Sequence, residues 1–210
     1  MSDQKEESDI PPSQLAIMKK IKFEDYLEAA PENKCDLVDG NYIIHSPASF
    51  RHVELRQFLV IIIALFIEKY ELGKLFSENF PIKLNDKNWR EPDIAFVSQK
   101  NLDKIHQNVF TGAPDFIIEI ISEDSRYRDE VRKRAEYERL GVGEYWILDP
   151  ESYTQSTFLK LKKSKYIEIE FKSGKLETSN IPDLYFKSEW IWSGKELPNI
   201  LNIIKELGIV

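Results

Sequence analysis

Two acidic residues stand inside stretches of this chain that otherwise suit only the interior of a β-sheet. Glu119 interrupts the run Phe116-Ile117-Ile118-Glu119-Ile120-Ile121, and Asp93 opens a second run, Pro92-Asp93-Ile94-Ala95-Phe96-Val97. Both runs are short, rich in β-branched residues and bounded by Pro, Gly or Ser, so both are expected as buried strands. An ionised carboxylate in such a strand costs roughly several kcal/mol unless something compensates it. The compensators available to a protein are a metal ion, a Lys or Arg, or a strand end that opens onto solvent. Lys133, in the helical segment that follows, is a candidate cation.

The 210 residues fit one domain of ordinary size, and a 42% hydrophobic fraction supplies ample core. Residues 1–14 are expected as a mobile acidic tail, since Asp3, Glu6, Glu7, Asp9 and two prolines leave little to bury, with 15–210 as a single domain. The lone cysteine, Cys35, excludes an intramolecular disulfide framework and the usual cysteine zinc sites. No basic-then-apolar leader opens the chain, and the longest apolar stretch, between Gln57 and Glu68, falls far short of the roughly 18 residues of a membrane span. The expectation is a soluble, cytoplasmic protein with no membrane partner. A net charge of −7 argues against strong diffuse affinity for duplex nucleic acid, but a local basic face can work on an acidic body. The segment from Arg126 to Arg139 has a small basic excess, and Arg126, Arg128 and Arg132 are its candidate nucleic-acid contacts.

Phe23 to Ala29 is expected as a short helix, and Leu37 to Ile44 as a hairpin turning at Asp39-Gly40. Ser49 would cap a long helix from about Phe50 to Tyr70. Lys74 to Leu84 is expected as a strand broken at Pro81, and Asn85 to Arg90 as a polar turn leading to the Asp93 strand. Leu102 to Asn108 would be a short surface helix. Tyr127 to Leu140 is expected to be helical, with Val131 and Ala135 facing the core and Gly141 stopping it. Glu144 to Leu148 is another buried strand. Ser156 to Phe171 and Leu184 to Trp192 look like antiparallel strands, and Glu196 to Leu207 like a closing helix. The pattern is that of a mixed α/β domain, a central sheet with flanking helices and a β-rich carboxyl end.

Magnesium takes six oxygens in near-octahedral geometry, usually with one or two protein carboxylates. Asp93 and Glu119 on neighbouring strands would give such a pair, and the backbone carbonyl of Ile120 would join the shell at a splayed strand end. Within its strand Glu119 shares a face with Ile117 and Ile121. A lysine nearby would hold the attacking water and offset charge on the phosphorane. Asp129, Lys133 and Tyr137 stand four apart on one helix face, a stripe that would present Lys133 to the strand ends and Tyr137 to a phosphate or to the lysine. Each residue also has an ordinary reading: a Pro-Asp turn, an edge-strand Glu, a surface i,i+4 pair, a structural histidine at His52. Glu78, in an alternating stretch, would face either solvent or the metal. No Gly-rich phosphate loop, Gly-x-Ser-x-Gly elbow or His/Cys zinc spacing is present.

Taken in order, Leu37-Val38-Asp39-Gly40, Ser46-Pro47-Ala48-Ser49 with His52, Arg90-Glu91-Pro92-Asp93-Ile94-Ala95-Phe96, Ala113 to Ser122, Arg128-Asp129 with Lys133 and Tyr137, and Glu144 to Pro150 resemble the signature of the Uma2 family of restriction endonuclease-like proteins. The resemblance runs from about residue 20 to 190. It implies a PD-(D/E)XK nuclease-like fold with a mixed four- or five-stranded sheet, and a Mg²⁺- or Mn²⁺-dependent endonuclease acting on nucleic acid, with DNA as the expected polymer. Carried over, Asp93 and Glu119 are metal ligands, Lys133 is the catalytic lysine, and His52 and Tyr137 match positions near the site. Ile121 stands where the wider superfamily has its lysine, and Ser122-Glu123-Asp124-Ser125 replaces the Ser-Pro of many relatives. Two alternatives stay open: a non-catalytic binding module on the same fold, and a metal-dependent phosphohydrolase of small molecules. A homodimer would suit two-strand cleavage.

Overall fold

The fold, a computed structural model, is described for residues 34–45, 47–77, 80–106, 108–122, 125–172, 174–192, 194 and 196–210. The 1–14 tail, the Phe23 to Ala29 helix, Ser46, Glu78 and the Glu123-Asp124 pair lie outside the described residues. In chain order the first half holds β1 (Cys35–Val38), β2 (Asn41–Ile44), α1 (Phe50–Lys69), β3 (Gly73–Phe76), β4 (Ile82–Asn85), β5 (Asn88–Arg90) and β6 (Ile94–Ser98). A 3-10 turn, Gln99–Lys104, leads to β7 (Ile105–His106), β8 (Val109–Thr111) and β9 (Phe116–Ile120). A π-helical segment, Arg128–Lys133, then runs directly into α2 (Arg134–Leu140), followed by β10 (Glu144–Leu148), β11 (Thr157–Lys162) and β12 (Lys165–Glu168). The chain closes with β13 (Lys175–Glu177), β14 (Tyr185–Lys187), α3 (Ser188–Trp192) and α4 (Ile200–Glu206).

The two interrupted apolar runs become β6 and β9, adjacent antiparallel strands inside a six-stranded mixed sheet of order β12-β11-β10-β9-β6-β3. β9 and β10 run parallel, bridged by the helical segment between them. The sheet is one or two strands wider than the four or five expected, because the β11–β12 hairpin and β3 extend its edges. Successive side chains leave a strand on opposite faces, so its two faces build two cores. Ile94, Phe96, Ile118, Ile120, Trp146 and Leu148 pack against α1 and the carboxyl-terminal elements. Ala95, Val97, Ile117, Ile121, Tyr145 and Ile147 pack with Tyr137 of α2 and with Ile82 and Phe110.

Ile82 and Phe110 belong to a second six-stranded sheet, β2-β1-β5-β4-β8-β7. Its β1–β2 hairpin turns at Asp39 and Gly40, whose φ of 51° and 81° fit a type I′ turn. Ser49 caps α1, its hydroxyl accepting from the backbone N–H of His52 at 3.2 Å. Gly73 lets β3 close on β6, since a Cβ there would stand 2.1 Å from the Val97 carbonyl oxygen.

Several expectations needed correction. The stretch from Lys74 to Leu84 is divided between the two sheets, as β3 and β4. Asn88–Arg90 is a strand rather than part of a turn, because it pairs with both β4 and β1. The turn after β6 comes earlier than expected, at Gln99–Lys104, and Ile105–His106 is extended. Within Leu184 to Trp192 only Tyr185–Lys187 is a strand, and Ser188–Trp192 is helical. Val131 and Ala135 face solvent, and the inward helix face is Asp129, Lys133 and Tyr137.

Candidate active site

Carrying the β6–β9 register one step beyond Ile94↔Ile118 sets Asp93 directly across from Glu119, with both side chains on one face of the sheet. Both carboxylates are 2% exposed. Like charges facing each other across a strand pair repel, so this placement persists only with cations and donors around it. The next step of the register brings Pro92 opposite Ile120. Proline has no N–H to give to the Ile120 carbonyl, so the ladder ends there, and the Ile120 N–H donates to Asp93 Oδ2 at 2.7 Å. The Ile120 carbonyl, on the same side of its strand as that N–H, points toward the Asp93 end and receives no hydrogen from Pro92.

The helix supplies the second wall. Its π-helical winding continues into α2 with Asp129, Lys133 and Tyr137 in one inward stripe. Lys133 Nζ, 1% exposed, lies 2.7 Å from Glu119 Oε1, 3.1 Å from Asp129 Oδ1 and 3.9 Å from Asp36 Oδ2. The Tyr137 hydroxyl also donates to Glu119 Oε1, at 3.2 Å, rather than reaching the lysine. Burial holds that phenol well above its ordinary pKa, so it stays a donor. From α1, His52 Nε2 approaches Asp93 Oδ1 at 3.3 Å. The structure thus brings Asp93, Glu119, Lys133, His52, Tyr137 and the Ile120 backbone to one place.

Beyond these, the cluster includes residues that sequence reasoning did not single out. Lys34 Nζ bonds Asp93 Oδ1 at 2.6 Å and stands 4.0 Å from Glu119 Oε2. Asp36, fully buried in β1, accepts from Arg90 at 3.2 Å and from the Glu91 N–H at 3.0 Å, with His45 Nε2 3.2 Å away. Arg90 grips Glu136 with two 2.7 Å bonds. The signal that exposed Glu119, a charge between apolar strand residues, was also present at Asp36 between Cys35 and Leu37.

Burial pushes Glu119 up to about 7, with Lys133 and Lys34 offsetting part of that rise. Burial would raise Asp93 too, but Lys34 and His52 outweigh it and hold its carboxyl well below the usual range. Burial would lower Lys133, yet Asp129, Glu119 and Asp36 reverse this and raise it, so it is a fixed ammonium.

Of the basic candidates, Arg128 borders this cluster through Asp129, and Arg126 and Arg132 make their contacts elsewhere. Arg126 pairs with Asp149 at 2.6 Å and Glu130 at 3.0 Å, beside a cleft of about 530 Å³ lined also by Arg134, Thr154 and Thr157. Arg128 Nε lies 3.9 Å from Asp129, and the Arg132 guanidinium lies over the Tyr127 ring, 5.8 Å from its centroid. Among the described residues no group of three or more His, Cys, Asp or Glu side chains is arranged to hold a metal ion. An ion at the pair would therefore rest on two carboxylates, a number magnesium commonly takes. The donor set suits it. Asp93 Oδ2 and Glu119 Oε1 are engaged by the Ile120 N–H and by Lys133 with Tyr137, while Asp93 Oδ1, also 3.3 Å from His52 Nε2, and Glu119 Oε2 both face the Lys34 ammonium. No helix among the described residues is long and apolar enough to cross a membrane.

The Uma2 family, described as "Putative restriction endonuclease", matches residues 23–188. The fold is similar to the crystal structure of a putative nuclease belonging to DUF820 from Anabaena variabilis, with a TM-score of 0.66 and 17% identity over 82% of this chain and 98% of that one. No curated protein matches the chain.

Proposed function

Since this chain belongs to the Uma2 family, we propose that it is a divalent-metal-dependent nuclease that hydrolyses phosphodiester bonds of nucleic acid, with DNA as substrate. The observation that carries the reading is the convergence of Asp93 Oδ1 and Glu119 Oε2 on a single cation position at a strand end. Asp93, Glu119 and the Ile120 carbonyl would hold Mg²⁺ or Mn²⁺. When bound, that ion supplies charge neutralisation at the phosphate and a more acidic water.

The chain's own residues prepare the position. The Ile120 N–H fixes Asp93 through Oδ2, leaving Oδ1 to Lys34 and His52. Lys133 and Tyr137 fix Glu119 through Oε1, leaving Oε2 to face Lys34 as well. At 1% exposure and among three carboxylates, Lys133 acts by orienting Glu119 rather than by meeting water. His52 Nε2 stands 3.3 Å from Asp93 Oδ1, on a side chain that is 12% exposed. Its place suits a contact to a substrate oxygen.

The test is nicking of supercoiled plasmid with Mg²⁺ or Mn²⁺, comparing the wild type with Asp93→Asn, Glu119→Gln and a remote surface variant, Lys187→Ala. Nicking that needs metal, survives in Lys187→Ala and vanishes in both acid variants supports the reading. Nicking that persists in Asp93→Asn and Glu119→Gln overturns it. Binding of DNA without cleavage under either metal turns the reading toward a binding module.

A further inference from the structure

We propose that Lys34 is a resident counter-cation for the Asp93–Glu119 pair and that a divalent metal ion binds by displacing it. The inference rests on the metal-site reading above and adds that occupancy of the site is an exchange of one ammonium for one ion. Four observations converge on it.

Of the four carboxylate oxygens in the pair, two are saturated from within the fold, by the Ile120 N–H and by Lys133 with Tyr137. The Lys34 ammonium faces the other two, at 2.6 Å from Asp93 Oδ1, which it shares with His52 Nε2 at 3.3 Å, and at 4.0 Å from Glu119 Oε2. A magnesium ion sits about 2.0–2.1 Å from its oxygens, so it would need the space the ammonium fills. The two lysines of the cluster also differ in freedom. Lys133 is 1% exposed and walled in by Glu119, Asp129 and Asp36, whereas the Lys34 side chain is 16% exposed. Lys34 precedes β1 rather than lying within it, and its four-carbon stem can carry the ammonium outward without breaking a strand.

The consequence is a penalty on metal binding that the wild type must meet and a variant without the charge need not. Lys34→Met keeps most of the stem and removes the ammonium. Mn²⁺ titrated into the metal-free full chain, followed by calorimetry and by the loss of the free-ion spin-resonance signal, gives the affinity without any assay of activity. Lys34→Met is expected to bind Mn²⁺ about tenfold tighter than the wild type, equivalent to about 1.4 kcal/mol for one partly exposed ion pair. Lys34→Gln, which keeps a polar end and guards against misfolding of the Met variant, is expected to shift in the same direction. Lys34→Arg is expected to bind no tighter than the wild type.

Equal or weaker Mn²⁺ binding by folded Lys34→Met and Lys34→Gln overturns the exchange. If the wild type nevertheless binds Mn²⁺ and Asp93→Asn does not, the metal-site reading stands and only the displacement fails. If Mn²⁺ binds neither the wild type nor the two neutral variants, both ideas fall together.

Discussion

Lys133→Met should be among the most damaging single substitutions in the chain, before any question of catalysis arises. The ammonium lies 2.7, 3.1 and 3.9 Å from oxygens of Glu119, Asp129 and Asp36. At an effective dielectric of about 20, each contact represents roughly 4–6 kcal/mol of gross attraction. Most of that gain is offset by the desolvation of the ions, and what remains measurable is the penalty for stranding the partners, about 3–5 kcal/mol for a broken buried pair. Domains of this size are stable by only about 5–15 kcal/mol. With a urea m-value of about 2 kcal/mol/M, the midpoint should fall by roughly 2 M. Adding Asp129→Asn to Lys133→Met neutralises one stranded carboxylate with a near-isosteric side chain, and should recover at least about 1 kcal/mol. The deficit should also narrow at acid pH, where the stranded carboxylates are neutral. Urea unfolding followed by circular dichroism of the four proteins in the cycle measures this. A Lys133→Met midpoint within about 0.5 kcal/mol of the wild type, or an Asp129→Asn cost that simply adds, would refute the reasoning.

Three further outcomes follow from local geometry. Tyr137→Phe removes one donor to Glu119 Oε1 and nothing from the core, so it should fold, lose about 1–1.5 kcal/mol in urea and nick DNA more slowly. Gly73→Ala drives a Cβ to 2.1 Å from the Val97 carbonyl at a φ of +153°, and thermal denaturation should register a loss of about 1–3 kcal/mol or more. Glu144, fully buried, is raised by burial even though Trp146 Nε1 and the Ser179 N–H donate to it. Its folded pKa exceeds the unfolded value of about 4.3, so its linked stability is complete below that pH and is lost as pH rises through the raised value. Relative to Glu144→Gln, the wild type should therefore weaken from pH 4 to pH 8, and a pH-independent difference in melting temperature would contradict the assignment.

Asp93 and Glu119 were legible because a strand has a period of two and a buried charge is expensive, so each acid announced itself against its neighbours. The partner helix was legible in the i,i+4 stripe that presents Lys133 to the strand ends, but hydropathy pointed to a different face. Hydropathy points Val131 and Ala135 inward, whereas the face that meets the sheet is polar, and it buries Asp129 and Lys133 while leaving Val131 48% exposed. Lys34 and Asp36 escaped because their compensation is remote. Lys34 finds Asp93 across 59 residues, and Asp36 finds Arg90 across 54. No local window contains both halves of such a pair. The division of Lys74 to Leu84 between two sheets was hidden for a related reason, since the close approach that Gly73 permits is to Val97, on a strand that comes later in the chain.

The most direct test of the account is the anomalous map of a crystal of the wild-type chain grown with Mn²⁺. The expected result is a peak bonded to Asp93 Oδ1 and Glu119 Oε2, with the Lys34 ammonium moved off both. A peak elsewhere, such as beside the Arg126 cleft, or full Mn²⁺ loading with Lys34 still on Asp93, would contradict it.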